Sequence, residues 1–460
     1  MNLINDFDME RISQAIEDIG SLCIADIFSP GKLWYAPVKM DWKTAPEFDP
    51  FGPMDRWGGY DEYGWFRCIF TIPAEADGKE LWVEISQDKR EWYAQNPQFL
   101  LYCNEKPVQG LDLYHESCLL RKKAVSGETL QLDLDAWAGM VTRGRTWSDK
   151  ENRPGLFAIR FFTLEEDIQS FYYDIKTVYE TAKYTDKESE KGLRLRKILN
   201  ETIGQLDFRE KNRFKQTLPE AKKILEQIWE PERTENIQAF CVGHTHIDIA
   251  WMWRFQHTKM KVQRSFSTAL KLLDEYPEYK FMSSQPQLYE YMEENQPEQF
   301  KKIQKYVQES RWEPEGGMWV EADCNLTSGE SLIRQFLIGK KYFLEKFGKD
   351  SKVLWLPDVF GYSASLPQIC KKCGIDYFMT TKISWNEKDK IPFDTFMWKG
   401  VDGTGLLTHF APAKQYDKTD YNPFGFARSP YITTYNGILE PDYVMGGWKR
   451  YSQKTLEPSF

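Results

Sequence analysis

Histidine is scarce in this sequence, with five in 460 residues. Long apolar runs are missing: no window approaches the ~18 residues of a membrane-spanning helix, so no membrane partner is expected. The opening residues, Met1-Asn2-Leu3-Ile4-Asn5-Asp6, offer neither a basic region nor an apolar one, so no secretory signal is expected. Positive charge is not in excess. The net charge is −9 with both signs mixed along the chain, which argues against a nucleic-acid partner, since that needs a basic face. The eight cysteines are scattered. Cys370 and Cys373 form a Cys-x-x-Cys but read as ordinary thiols at a helix end before Gly374, and such usage fits a cytoplasmic location. No internal repeat or low-complexity tract is visible, and a homo-oligomer is left open.

Aromatic residues are abundant, at 15% of the chain. Aromatic faces stack on sugar rings, although β-sandwich cores use them too. At ~100–200 residues per domain, the length suits two or three domains. Ile12, Ile16, Ile19 and Cys23, in steps of three and four, predict an amphipathic helix within an N-terminal segment, residues 1–29. Short strands rich in aromatic and β-branched residues follow, at Trp65–Ile72, Leu81–Ile85, Phe99–Cys103, Leu130–Leu134 and Phe157–Phe162. They predict a β-sandwich over residues 30–165. Amphipathic Lys/Glu-rich stretches, Ile168 to Tyr184, Leu193 to Leu206 and Leu218 to Trp229, predict a helical linker over residues 166–235. From residue 236 to 460 the pattern changes again. A strand at Ala239–Val242 leads into strands near Tyr279–Ser283, Trp312–Met318, Lys352–Leu356 and Tyr377–Thr380, with helices of about ten or more residues between most of them. That alternation predicts βαβ units and a mostly parallel sheet in an α/β domain.

Parallel sheets place their chemistry at the carboxyl ends of strands. Here those ends read Gly243-His244-Thr245-His246-Ile247-Asp248, Ser283-Ser284-Gln285-Pro286, Met318-Trp319-Val320-Glu321-Ala322-Asp323 and Leu356-Pro357-Asp358-Val359-Phe360-Gly361. Two of the five histidines stand in the first of them. His244, His246 and Asp248 are two apart, so on an extended segment all three could share one face. Imidazole and carboxylate suit a divalent cation such as zinc. Spacing alone does not separate His244/His246 from His246/Asp248 as the ligand pair. Asn386 and Lys382 follow another strand end and are weaker candidates, while His115 and His257 read as structural or surface residues.

The run Gly243 to Trp253, Gly-His-Thr-His-Ile-Asp-Ile-Ala-Trp-Met-Trp, is followed by Gly317-Met318-Trp319-Val320-Glu321-Ala322-Asp323, Ser328-Gly329-Glu330-Ser331-Leu332 and Trp355-Leu356-Pro357-Asp358-Val359-Phe360-Gly361-Tyr362-Ser363. In that order these motifs resemble glycoside hydrolase family 38, the retaining α-mannosidases. Lys106-Pro107-Val108-Gln109-Gly110-Leu111-Asp112 is similar to the N-terminal sandwich of that family's cytosolic and vacuolar branch. The resemblance implies a barrel-like catalytic domain acting on α-linked mannose in oligosaccharides. It implies His246, Asp248 and Asp358 as ligands of a divalent metal, zinc first and cobalt second, and Asp358 also as the nucleophile. It further implies Trp251 lining the mannose subsite, with His244 a neighbour supporting the ligands. Glu321 and Asp323 are candidate substrate contacts. The family also needs a later histidine ligand and a general acid in a Gly/Asp-rich motif. Neither is matched before Phe460, although Gly446-Gly447-Trp448-Lys449 resembles the lead-in, and His409 is not matched to the missing ligand. The chain is therefore expected to be a fragment of a longer enzyme, its catalytic domain incomplete at the C-terminus. The rival readings are a metal-dependent amidohydrolase or carbohydrate deacetylase, and a non-catalytic mannoside-binding fragment.

Overall fold

A computed structural model describes residues 6–38, 47–87, 97–112, 115–140, 155–229, 242–251, 253–382, 393 and 395–410. In the front half, alternating apolar residues build two antiparallel sheets. The larger orders its strands Asp49–Phe51, Leu33–Val38, Tyr63–Thr71, Thr129–Trp137, Gln98–Cys103 and Lys106–Leu111. The smaller orders Ile24–Phe28, Gly155–Leu164, Leu81–Gln87 and Ser117–Arg121, with Arg56–Trp57 also paired to Gly155–Leu164. A strand turns successive side chains to opposite faces, so Phe66, Cys68 and Phe70 point inward from one sheet and Phe157, Ile159 and Phe161 from the other. The two faces share one core. Rings bridge it: Phe70 stacks on Phe161 at 3.7 Å and Phe66 on Phe157 at 4.0 Å.

The helices Glu166–Tyr184, Glu190–Gly204 and Lys211–Glu226 bury a second core, and Asp6–Leu22 joins it through Ile12, Ile16 and Ile19. Sequence spacing had set that first helix apart, because nothing local says which core a lone amphipathic helix joins. The third helix also begins earlier than Leu218: Pro219 sits inside it, within the first three turns. Ser189 starts the second helix by accepting the Gly192 N–H at Oγ, 3.0 Å, a normal N-cap.

In the second half, Gly243–His244, Phe281–Ser283 and Trp312–Pro314 form a parallel sheet. The expected strand at residues 239–242 falls almost wholly outside the described residues. A second sheet orders Val353–Trp355, Tyr377–Thr380, Gly405–Phe410 and Thr395–Lys399, parallel except for its last pair. A parallel bridge between Gly316 and Leu354 joins the two sheets, so their strand ends lie on a common edge. Helices Phe255–Glu275, Pro286–Asn295, Pro297–Gln308, Gly329–Phe347 and Leu366–Lys372 connect the strands.

The halves meet where helix Phe255–Glu275 lies on strand Lys106–Leu111. Gly110 permits the approach: a Cβ there would stand 2.9 Å from Arg264 Cβ and 3.2 Å from the Arg264 carbonyl oxygen. Its N–H donates to Thr268 Oγ1 at 3.0 Å, and the buried Arg264 donates to Gln98 Oε1 at 2.6 Å. The Lys106-to-Asp112 motif is thus a docking strand.

Candidate metal and catalytic site

Two strand ends bring together one cluster. His246, Asp248 and Asp358 each offer a ligand atom, and those atoms lie within 4.8 Å of one another. His246 Nε2 stands 3.3 Å from Asp248 Oδ1 and 3.6 Å from Asp358 Oδ2. His246 and Asp358 are buried and Asp248 half-buried. No other group of this kind clusters among the described residues.

Behind His246 lies Glu321, whose Oε2 is 2.7 Å from Nδ1, although off the direction a hydrogen bond needs. The Glu321 side chain is only 5% exposed and accepts the Ser284 hydroxyl at Oε1, 2.7 Å. Gln285 ties the same region together: its Nε2 donates to the Ile247 carbonyl at 2.9 Å, and its Oε1 accepts the Glu321 N–H at 3.2 Å. Burial pushes the His246 pKa down, but the carboxylates of Glu321 and Asp248 outweigh it, and the pKa stands well above 6.5. A ring held so strongly by carboxylates marks a pocket with surplus negative charge. Imidazole plus two carboxylates on a buried floor is a donor set that fits a divalent cation.

His244 stands apart. Its Nδ1 faces the Met282 carbonyl at 3.1 Å and its Nε2 accepts the Trp355 indole N–H at 3.2 Å. Both nitrogens are committed, and desolvation lowers its pKa to about 4, so the ring is a neutral strut between the two sheets. That separates what spacing left open: His246 and Asp248 converge, and His244 does not.

The Asp358 turn is fixed from its flanks. The Tyr362 hydroxyl donates to the Val359 carbonyl at 2.8 Å, and Thr381 Oγ1 donates to the Pro357 carbonyl at 2.9 Å. Lys382 pairs with Asp358 Oδ1, both side chains buried, with its ammonium 4.7 Å from the Phe360 ring centre. Asp358 therefore turns one oxygen to Lys382 and the other toward His246. Lys382 was only a weak candidate in sequence, because its partner lies 24 residues earlier on a different strand.

Trp251 is 39% exposed and meets Trp253 edge-on at 5.4 Å. Asp323 is not brought to the cluster. It is exposed, and its Oδ1 accepts the N–H groups of Asn325 and Leu326 at 2.9 and 2.7 Å, closing its own turn. His115 pairs with Asp112, and His409 Nδ1 with the Thr395 hydroxyl at 2.8 Å, and neither is part of the cluster. Cys370 and Cys373 have raised thiol pKa values through burial, as inert thiols do. Asn386 and Gly446-to-Lys449 lie outside the described residues.

Residues 236–460, the part of the chain that carries the cluster, match the glycosyl hydrolases family 38 N-terminal domain. Among its relatives are several α-mannosidases. Alpha-mannosidase G of Dictyostelium discoideum is 34% identical over 83% of this chain and 34% of its own length. Alpha-mannosidase 2C1 of Homo sapiens is 33% identical over 85% of this chain and 37% of its own. An alpha-mannosidase of Saccharomyces cerevisiae is 46% identical over 43% of this chain and 18% of its own. The first two matches extend well into the front half. The chain spans about a third of the length of those two curated relatives.

Proposed function

We propose that this chain supplies the metal-binding and nucleophilic part of a retaining α-mannosidase centre. The observation that carries the reading is the convergence of His246, Asp248 and Asp358 from two strand ends. These three residues would hold the divalent cation, zinc by preference and cobalt as the second choice. When bound, that cation supplies positive charge to the 2- and 3-hydroxyls of mannose, which selects the sugar with an axial 2-hydroxyl.

The chain's own residues carry the rest. Asp358 attacks C1 with one carboxylate oxygen as the glycosidic C1–O bond breaks, and the departing oxygen takes its proton from a general acid. Water then attacks C1 and releases Asp358, so two inversions retain the configuration. Lys382 orients the carboxylate, and the exposed Trp251 gives the sugar an aromatic face. Glu321, buried behind His246, supports that ring instead of touching substrate. Asp323 is spent on its own turn. We divide the chain into an antiparallel sandwich, a helical region joined by Asp6–Leu22, and a barrel-like α/β domain. A cytoplasmic location is supported by the seven free cysteines among the described residues, and no described helix is long and apolar enough to cross a membrane.

The test is trapping with 5-fluoro-α-mannosyl fluoride, on this chain and on a version extended past Phe460, with the label mapped by peptide mass. The expected result is label on Asp358, lost in Asp358→Asn. Hydrolysis without label would mean that water is the nucleophile, as in an amidohydrolase or deacetylase.

A further inference from the structure

We propose that Asp61, in the antiparallel half, is a positioning residue for the ligand Asp248 and for Trp251; the proposal rests on the reading of the site given above. Asp61 sits in a turn, its N–H donating to the Gly139 carbonyl at 2.7 Å. Its carboxylate gathers donors from both halves. On its own side are Trp137 Nε1 at 3.0 Å and the Tyr63 hydroxyl at 3.2 Å. Across the junction come His257 Nε2 at 2.9 Å and Arg254 Nη1 at 3.1 Å.

The junction leads directly to the site. His257 is fully buried, and its Nδ1 accepts the Arg254 backbone N–H at 2.8 Å, so the ring proton sits on Nε2 and is donated to Asp61. Its ring stacks on Trp137 at 4.6 Å. Trp253 packs with Tyr63 and Trp137 in one buried cluster, and the Lys261 ammonium lies 4.2 Å from its ring centre. From there Trp253 Nε1 donates to the backbone carbonyl of Asp248 at 3.1 Å, and Thr258 Oγ1 donates to the carbonyl of Ile249 at 2.6 Å. The backbone of a ligand and of the residue after it is thus tied to a helix start that Asp61 holds from the other half. Trp251 leans edge-on against the same Trp253. One carboxylate of the front half therefore sets where Asp248 and the aromatic platform stand. The antiparallel half thus takes a part in the site beyond general stability.

Cobalt(II) titration of the 460-residue chain, followed by visible absorption, tests this. Asp61→Ala is expected to weaken cobalt binding at least about tenfold and to change the shape of the d–d bands, as loss of a ligand's outer support does. Asp61→Asn, which keeps an oxygen acceptor, is expected to recover most of the binding. Thr268→Val cuts the Gly110 contact elsewhere in the same junction; it is expected to lower the melting temperature with affinity and band shape unchanged. Should Asp61→Ala not fold, Arg254→Met, which removes one donor to Asp61, is read the same way, with about threefold weakening expected. Wild-type affinity and spectrum in these variants would overturn the positioning role and leave the metal site standing. Failure of the wild-type chain to take up cobalt would overturn the reading of the site itself.

Discussion

Side chains with the same chemistry behave differently here because of what stands behind them. Glu321 and Asp323 are two residues apart, yet one is buried against His246 and the other is exposed and closes its own turn. Glu321→Gln is therefore predicted to lower zinc affinity about 10–100-fold in a chelator competition, while Asp323→Asn leaves it unchanged. The motif around His246 was legible in sequence because ligands two apart on an extended segment share a face. Spacing alone did not divide His244 from His246; the family resemblance did, and its physical cause lies outside the motif. It depends on the Met282 carbonyl and the Trp355 indole, which other strands deliver. The orientation of Glu321 and the Lys382–Asp358 pair were hidden for the same reason: each is a contact between strands far apart in sequence.

At the scale of elements, periodicity located most strands and helices, since alternation and steps of three and four are local properties. Docking was less visible. Gly110 looks like any strand glycine until Arg264 of the crossing helix is set against it. Gly110→Leu is predicted to cost about 1–3 kcal/mol in urea unfolding, because the helix backbone has no room to yield. Ser328, by contrast, announces itself: it caps helix Gly329–Phe347 by accepting the Ser331 N–H at 3.2 Å. Ser328→Ala should cost about 1 kcal/mol by the same measurement.

Across the whole molecule, buried polar groups hold two apolar halves in register. Burial lowers the His257 pKa from 6.5, against the opposing pull of Asp61, with Arg254 and Arg264 lowering it further. The folded ring therefore resists a proton that the unfolded chain accepts as the pH falls through 6.5. Its contribution to stability is present above that pH and is lost below it. Chemical denaturation between about pH 7.5 and about pH 5 should show His257→Gln losing less stability on acidification than wild type. An unchanged slope would mean that other groups govern the acid limb. On the proposed function, two separate sheets of this chain build one cation site on Asp358. Anomalous diffraction at the zinc edge, from crystals of the chain grown with zinc, measures this most directly. A peak is expected about 2.0–2.2 Å from His246 Nε2 and from one oxygen each of Asp248 and Asp358. A peak coordinated elsewhere, or zinc bound without Asp358, would contradict it.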